Sequence, residues 1–155
     1  KLKRILTPAL ITLLVGAMLW STLSATRKNI QASNKPYQRY QEASVWLLNN
    51  TPPQSRVFQT DWDDFPQLFF YNTHNTYTIG LDPTYMQLFN EDLYETWTQI
   101  TEGDVANPSA VISELFGAQI ILTDQNHKDF IRQADQDPHL ILTYQDEYSM
   151  IYQVE

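Results

Sequence analysis

The 155-residue chain contains no cysteine and only four glycines. Without cysteine, the fold cannot be built on a disulfide framework. The sequence has no glycine-rich phosphate loop, and it contains neither a Gly-x-Ser-x-Gly nor a His-Glu-x-x-His pattern. These are the motifs that mark P-loop nucleotide-binding proteins, serine hydrolases and zinc peptidases. The sequence therefore gives no support to any of these three classes.

Basic residues are scarce in most of the chain. Seven of the ten precede position 40, and only Arg56, Lys128 and Arg132 follow it, together with all eighteen Asp and Glu. Residues 40–155 thus carry a formal charge of −15. Nucleic-acid binding depends on neutralising phosphates with Lys and Arg, so we expect no nucleic-acid partner.

One long apolar segment stands apart from this acidic region. Residues 5–25 form 21 consecutive positions without a charge. As a helix they would extend about 31 Å, which matches the hydrocarbon core of a bilayer. Pro8 falls in the first turn, and Trp20 lies near the far end, where interfacial aromatics are common. We predict a transmembrane helix that contacts the lipid bilayer; a cleaved signal peptide and a buried helix are the alternatives.

The predicted organisation has three parts. Residues 1–28 form the span with its basic flanks, residues 29–36 form a polar tether, and residues 37–155 form a soluble acidic domain. The basic cluster before the span is tighter than the one after it, which favours an extracytoplasmic (periplasmic) domain. Because the chain begins with lysine, we also expect further membrane spans upstream of it.

Strand and helix patterns alternate along the acidic domain. Ser55–Thr60, Thr76–Leu81 and Ala118–Thr123 are predicted strands, and the last is apolar enough to be central in a sheet. The final segment, HLILTYQDEYSMIYQV, predicts two strands around a turn. This order predicts an α/β fold of three layers, with a mixed, partly parallel sheet and a C-terminal β-hairpin.

Proline and glycine mark the ends of two predicted helices. Asp82 is the predicted N-cap of a helix that begins at Pro83 and ends at Gly103, and Asn107 has the same role before Pro108. An earlier helix is predicted to present one face formed by five residues: Tyr37, Tyr40, Ser44, Val45 and Leu48.

The segment DWDDFPQLFFYN carries the main candidate site. In one interpretation, Asp64 caps a helix beginning at Phe65, while Asp61 and Asp63 accept hydrogen bonds from loop amides. In another, Asp61 and Asp63 bind a divalent cation such as Ca²⁺, Mg²⁺ or Mn²⁺, because hard cations prefer oxygen ligands. Mutual repulsion of three carboxylates favours the cation. Trp62 is the best candidate for stacking on a sugar.

Other residues give weaker signals. Asp64, in this segment, and Asp82, in the turn before the helix predicted at Pro83, are candidate contacts for a sugar or a polar headgroup. The histidines at 74, 127 and 139 have no acidic partner at a metal-ligand spacing, so we expect ordinary surface or loop histidines. We expect Trp46 and Trp97, at helical spacing, to pack in the core.

Three segments resemble a known family. They read A-x-x-W-L-L-N-N-T-P-P-x-S-x-V-F, D-W-D-D-F-P-x-L-F-F-Y-N and N-x-Y-x-x-G-L-D-P-T-Y-M. They are similar to the C-terminal soluble domain of bacterial membrane glycosyltransferases of the GT-C type, which are related to the dolichyl-phosphate-mannose and lipid-linked aminoarabinose transferases. The resemblance implies a periplasmic domain after the last span of an enzyme that uses a polyprenyl-phosphate sugar. It also implies a catalytic carboxylate in an earlier loop outside this chain, and hence no catalytic residue here.

We therefore expect an accessory domain that recognises a lipid-linked donor or an acceptor and has the transmembrane part of the same protein as partner. Two alternatives remain. One is a single-pass membrane-anchored binding or assembly module with no enzyme attached. The other is a metal-dependent transferase that uses Asp61 and Asp63.

Overall fold

The computed structural model describes residues 2–32 and 36–155, and it divides into two compact units at Pro36. The first unit consists of helix α1, Leu2–Ala32. No helix within the described residues is both long enough and apolar enough to cross a membrane. The span over residues 5–25 therefore stays a prediction. The predicted tether begins inside α1, and residues 33–35 lie outside the described part of the chain.

The second unit, Tyr37–Glu155, contains six helices and five strands. The helices are α2 (Gln41–Asn50), α3 (Phe65–Tyr71), α4 (Thr84–Phe89), α5 (Glu91–Thr101), α6 (Pro108–Phe116) and α7 (Lys128–Ala134). The strands are β1 (Arg56–Gln59), β2 (Thr76–Tyr77), β3 (Ile120–Asp124), β4 (Leu140–Gln145) and β5 (Ser149–Val154).

The five strands form one sheet in the order β2-β1-β3-β5-β4. β1 runs parallel to β2 and to β3, whereas β5 runs antiparallel to β3 and β4. All five residues of β3 are buried, as expected of a central strand covered on both faces. The structure thus confirms the predicted α/β domain, with its mixed, partly parallel sheet and two C-terminal strands.

Helices cover both faces of the sheet, because successive side chains of a strand point to opposite sides. Phe58 packs in one apolar cluster and Val57 in another. The first cluster includes side chains of α5, α6 and α7, and the second includes side chains of α2 and α3. The domain therefore has three layers, with the sheet in the middle.

The buried face of α2 differs from the predicted one. Ala43, Ser44 and Leu47 are buried, whereas Val45 and Leu48 are each 52% exposed. The helix begins only at Gln41, and the fully buried Tyr40 precedes it. Positions 43, 44 and 47 follow Tyr40 at helical spacing, so the inward side chain of Tyr40 selects the stripe that faces the sheet.

The predicted helix over residues 83–102 is two helices. Asn90, between α4 and α5, adopts an extended backbone, and its Oδ1 accepts a hydrogen bond from the Leu93 amide at 3.1 Å. Asparagine is a strong N-cap, and Glu91 and Asp92 place negative charge in the first turn of α5. This local capping interaction ends one helix and begins the next.

The cap of α6 comes from a distant part of the chain. Asn107 stands at the N-cap position, but its side chain makes no capping hydrogen bond, so the predicted capping role is wrong. Instead, Asp137 accepts a hydrogen bond from the Ser109 amide at 2.8 Å through Oδ2 and one from the His139 amide at 3.0 Å through Oδ1. Burial acts to raise the pKa of Asp137, but these hydrogen bonds hold it below its usual range. Asp137 therefore fixes α6 beside the turn after α7.

Replacing Asp137 tests this remote cap. We expect Asp137→Ala to lower the free energy of unfolding by about 1–2 kcal/mol at neutral pH, as for loss of an N-cap. A depressed pKa stabilises the fold above the unfolded value of about 3.9, and the gain is lost as pH falls below it. Urea unfolding as a function of pH measures both effects.

The control for this experiment is Asp137→Asn, which keeps an acceptor but cannot titrate. We expect it to retain part of the stability and to flatten the acid dependence. An unchanged acid dependence in Asp137→Asn would contradict the assignment.

Candidate functional site

The centre of the sheet contains a topological switch point. β1 and β3 are parallel neighbours, and the chain leaves β1 towards β2 on one side and leaves β3 towards β4 on the other. The helices that follow these two strands, α3 and α7, pack on opposite faces of the sheet. In open α/β sheets, ligands bind in the crevice outside the carboxyl ends of such strands. The residues that follow Gln59 and Leu122 are therefore the candidate site.

Three potential ligand groups meet in this crevice. Thr60 donates a hydrogen bond to Thr123 at 2.8 Å and so joins the ends of the two strands. Just beyond them, Asp61, Asp124 and His127 each have an oxygen or ring nitrogen within 4.8 Å of the other two. We call these three residues the switch-point cluster. Parallel pairing of β1 with β3 brings Asp61, which follows β1, next to Asp124 at the end of β3 and His127 in the loop after it.

Within the cluster, Asp124 is held by several hydrogen bonds from neighbouring residues. Its Oδ1 lies 2.7 Å from His127 Nδ1 and accepts a hydrogen bond from the Asn126 amide, while Oδ2 accepts one from Asn126 Nδ2 at 2.8 Å. Burial alone would raise the pKa of Asp124, but the hydrogen bonds from His127 and Asn126 lower it well below its usual range. Asp124 is therefore ionised throughout the physiological range.

Asp61 has the opposite electrostatic environment. Burial raises the pKa of its carboxyl, and the negative charges of Asp63 and Asp124 raise it further. The Asp63 amide and His127 act against this shift, and the hydrogen bond from that amide measures 3.2 Å. The pKa values of Asp61 and Asp124, which are neighbours in the switch-point cluster, are thus shifted in opposite directions. Such a pair attracts a cation or a hydrogen-bond donor such as a sugar hydroxyl.

Asp64 lies beneath this loop and has partners inside the protein. Its side chain is 1% exposed and forms an ion pair with Arg39, which is 5% exposed. The Tyr40 hydroxyl donates a second hydrogen bond to the same carboxylate. Burial raises the pKa of Tyr40, so the phenol keeps its proton. Asp64 occupies the N-cap position of α3 but makes no capping hydrogen bond, so the predicted cap is wrong; the carboxylate neutralises Arg39 instead.

Trp97 occupies the core as expected, whereas Trp46 is only partly buried. Trp97 is buried, and its Nε1 donates to the Gln59 carbonyl oxygen at 3.1 Å. Trp46 packs against the second apolar cluster. Trp62 is 40% exposed in the loop between Asp61 and the exposed Asp63. Its position leaves an aromatic ring available to a ligand.

Asp82 does not belong to the switch-point cluster. It lines a different groove of about 450 Å³, together with Tyr85 and Met86. The Asp82 carboxylate accepts a hydrogen bond from the Thr84 amide at 2.9 Å. Hydrogen bonds from the Thr84 side chain and from its amide lower the pKa of Asp82. Because α4 begins at Thr84, with Pro83 at the N-cap position and no capping hydrogen bond from a side chain, the predicted N-cap role of Asp82 is wrong; Asp82 lies one residue before that position. The structure therefore separates Asp82 from the other predicted site residues.

His127 is the residue that sequence analysis assigned wrongly. It was expected to lack an acidic partner, yet it contacts Asp124, three residues earlier. The signal in the sequence was an aspartate at the end of a very apolar strand, the position where α/β proteins place ligand-binding groups. The other two histidines have local roles: His74 Nε2 lies 2.8 Å from the Thr51 carbonyl oxygen, and the His139 amide binds Asp137.

No protein-family model, curated protein or solved structure significantly matches this chain. The resemblance to membrane glycosyltransferases therefore depends on the three sequence segments alone, and the candidate site depends on its own geometry.

Removing Asp64 tests whether its ion pair is structural. We expect Asp64→Ala to lower the free energy of unfolding by about 3–5 kcal/mol, because it leaves the Arg39 charge buried without a partner. Asp63→Ala, in the same loop but exposed, is the matched control and should change it by less than about 0.5 kcal/mol. Urea unfolding measures both.

A double variant separates charge from packing. Replacing both partners with apolar residues, as Arg39→Met with Asp64→Leu, should recover most of the lost stability. Equal stability of Asp64→Ala and Asp63→Ala would show that the ion pair does not support the fold.

Proposed function

We propose that this chain is the membrane-anchored, extracytoplasmic part of a glycosyltransferase-like protein, and that its α/β domain is an accessory module. The module binds the sugar of a polyprenyl-phosphate-linked donor, or of an acceptor, and does not catalyse transfer. Its partners are the lipid bilayer and the transmembrane part of the same protein.

The observation that carries this proposal is the position of the switch-point cluster next to Trp62. Carboxylates such as Asp61 and Asp124 accept hydrogen bonds from sugar hydroxyls, and a charged acceptor makes these bonds stronger. An exposed aromatic ring offers an apolar face for the C–H face of a sugar. A few polar groups beside an aromatic surface are the usual composition of a small-ligand site.

The membrane part of the proposal is supported by the sequence. The uncharged residues 5–25 have basic residues on both sides, and the region after residue 40 carries almost no basic residues. The accessory role is supported by the resemblance, which implies a catalytic carboxylate in an earlier loop. We therefore assign no catalytic step to the cluster.

Sugar binding is tested by calorimetric titration of the 155-residue chain in detergent with short-chain polyprenyl-phosphate mannose. We expect Asp61→Asn to weaken binding by roughly ten- to a hundredfold, because a hydrogen bond to a charged group contributes about 1.5–3 kcal/mol. Trp62→Ala should weaken binding in the same direction through lost stacking.

Asp82→Asn is the matched control, since it removes an exposed carboxylate outside the cluster, and it should leave the Kd unchanged. No heat of binding with the parent chain would remove this sugar as the ligand. Equal losses in Asp61→Asn and Asp82→Asn would remove the cluster as the site.

A second candidate function, metal-dependent transfer, is supported by the ligand atoms of the cluster. Two carboxylates and an imidazole suit Mn²⁺ or Zn²⁺ better than Ca²⁺, which prefers oxygen ligands only. The acidic residues 61, 63 and 64 also have oxygens within 4.8 Å of one another, but Asp64 is already paired with Arg39. The switch-point cluster is therefore the better cation site, with Asp63 at its margin. A single-pass binding module with no enzyme attached is the remaining alternative.

Titration of the chain with Mn²⁺ shows whether the switch-point cluster or the pair Asp61 and Asp63 binds the cation. We expect His127→Ala and Asp61→Asn each to weaken Mn²⁺ binding by about tenfold or more, in the range seen when a contact at a metal site is lost. Asp63→Asn should have a smaller effect. A larger loss in Asp63→Asn than in His127→Ala would move the site to the predicted pair Asp61 and Asp63, and absence of Mn²⁺ binding would eliminate the metal-dependent function.

A further inference from the structure

Exposed apolar side chains are concentrated in one stretch of the domain. Six of its large exposed apolar residues lie within residues 65–90. Phe70 (78%), Tyr85 (75%), Leu88 (81%) and Phe89 (84%) are the most exposed of all such residues described in the α/β domain. Contiguous exposed apolar surface on a soluble domain marks an interaction site.

Three of these residues, Tyr85, Leu88 and Phe89, belong to α4, which lines a groove beside β2 at the edge of the sheet. The Phe65 ring stacks on Phe69 at 5.4 Å and meets Tyr77 of β2 edge-to-face at 5.8 Å. Tyr77 in turn lines the 450 Å³ groove together with Met86 and Phe89 of α4. β2 thus lies between α3, which packs on one face of the sheet through Leu68, and α4, which packs on the other face through Met86. We call the surface formed by β2, this groove and α4 the β2 edge.

Helix α4 contributes most of the exposed apolar side chains of the β2 edge. Its sequence is TYMQLF, yet none of its residues is buried. Met86 is partly buried against the core, which attaches the helix to the domain. Tyr85, Leu88 and Phe89 are left without a partner among the described residues of the domain core. A short helix with this composition and exposure suits the boundary between water and an apolar phase.

Charge separates the β2 edge from the rest of the domain. Residues 65–90 contain a single charged side chain, Asp82, whereas the other seventeen acidic residues lie elsewhere in the chain. Glu91 and Asp92, both exposed, directly follow this stretch, so anionic lipid phosphates meet the least repulsion at residues 65–90 themselves. A second copy of the domain would bring a further −14 charge close, which disfavours self-association.

Arg56 adds a cation to the same groove. Its Nη1 donates to the Phe116 carbonyl oxygen at 2.9 Å, and Arg56 itself is exposed. Within the part of the chain that the structure describes, it forms no ion pair with a carboxylate. The remaining N–H groups of the guanidinium can bind phosphate oxygens, for which its planar geometry is well suited.

We infer that the β2 edge is the face that this domain lays against a lipid bilayer, with Tyr85, Leu88 and Phe89 entering the interfacial layer and Arg56 binding lipid phosphates. The inference depends on the membrane anchoring in the proposed function and deepens it, because it gives the domain a fixed orientation at the membrane surface.

The absence of cysteine allows a direct test, since a single introduced cysteine is the only site for a thiol-reactive probe. We would label Leu88→Cys with an environment-sensitive nitrobenzoxadiazole fluorophore in the 155-residue chain, reconstituted into phosphatidylcholine vesicles. The matched control is Ile141→Cys, which is 40% exposed and lies on β4 at the opposite side of the sheet. Phe89→Cys serves as a second probe position.

The expected result is a blue-shifted emission from the probes at residues 88 and 89, and loss of that emission when the vesicles contain brominated acyl chains. The probe at residue 141 should keep its aqueous spectrum. This pattern would be absent from a domain that stands away from the bilayer.

Each other outcome has a defined meaning. If the chain floats with the vesicles but both probes stay in water, the inference is overturned and the anchoring stands. If the chain does not float with the vesicles, the anchoring in the proposed function fails, and the inference fails with it. A blue shift that brominated lipid does not quench shows that protein covers the edge, and equal shifts at residues 88 and 141 show that no face is preferred; both results overturn the inference.

Discussion

The parallel pairing of β1 with β3 joins two segments of the chain that are far apart in sequence. Thr60 and Thr123, hydrogen-bonded at the ends of these strands, are 63 residues apart. Their pairing creates the switch point, buries the central strand on both faces and aligns the loop after β1 with the loop after β3. The candidate site exists only as a consequence of this alignment, because neither loop alone contains all three residues of the cluster.

A second constraint lies below the site. The ion pair between Arg39 and Asp64 connects the segment before α2 to the loop after β1, and Tyr40 reinforces it. Two buried charges are stable only when they compensate each other, so the pair fixes the relative position of these segments. It also turns Tyr40 inward, which sets the buried stripe of α2. One carboxylate of the acidic loop thus supports the fold, while Asp61 and Asp63 remain nearer the solvent.

The domain separates its polar chemistry from its apolar surface. The switch-point cluster lies at the carboxyl ends of the central strands, whereas the β2 edge combines exposed aromatic and aliphatic side chains with Arg56. An acidic crevice cannot approach lipid phosphates without repulsion, and an apolar edge has few groups with which to bind a sugar. The proposed accessory role requires both surfaces on one small domain, one to orient it and one to bind the ligand.

The sequence by itself determined the features that depend on neighbouring residues. Alternating apolar patterns located the strands, and Pro108 located the start of α6, because the backbone preference of proline is local. Asn90 carried an equally local signal that the apolar periodicity across it concealed. Only the tertiary structure decided that Asp64 neutralises Arg39, that Asp137 caps α6 and that His127 joins Asp61. These contacts form between segments separated along the chain, and their partners are set by strand order and packing, which residue type and spacing do not encode.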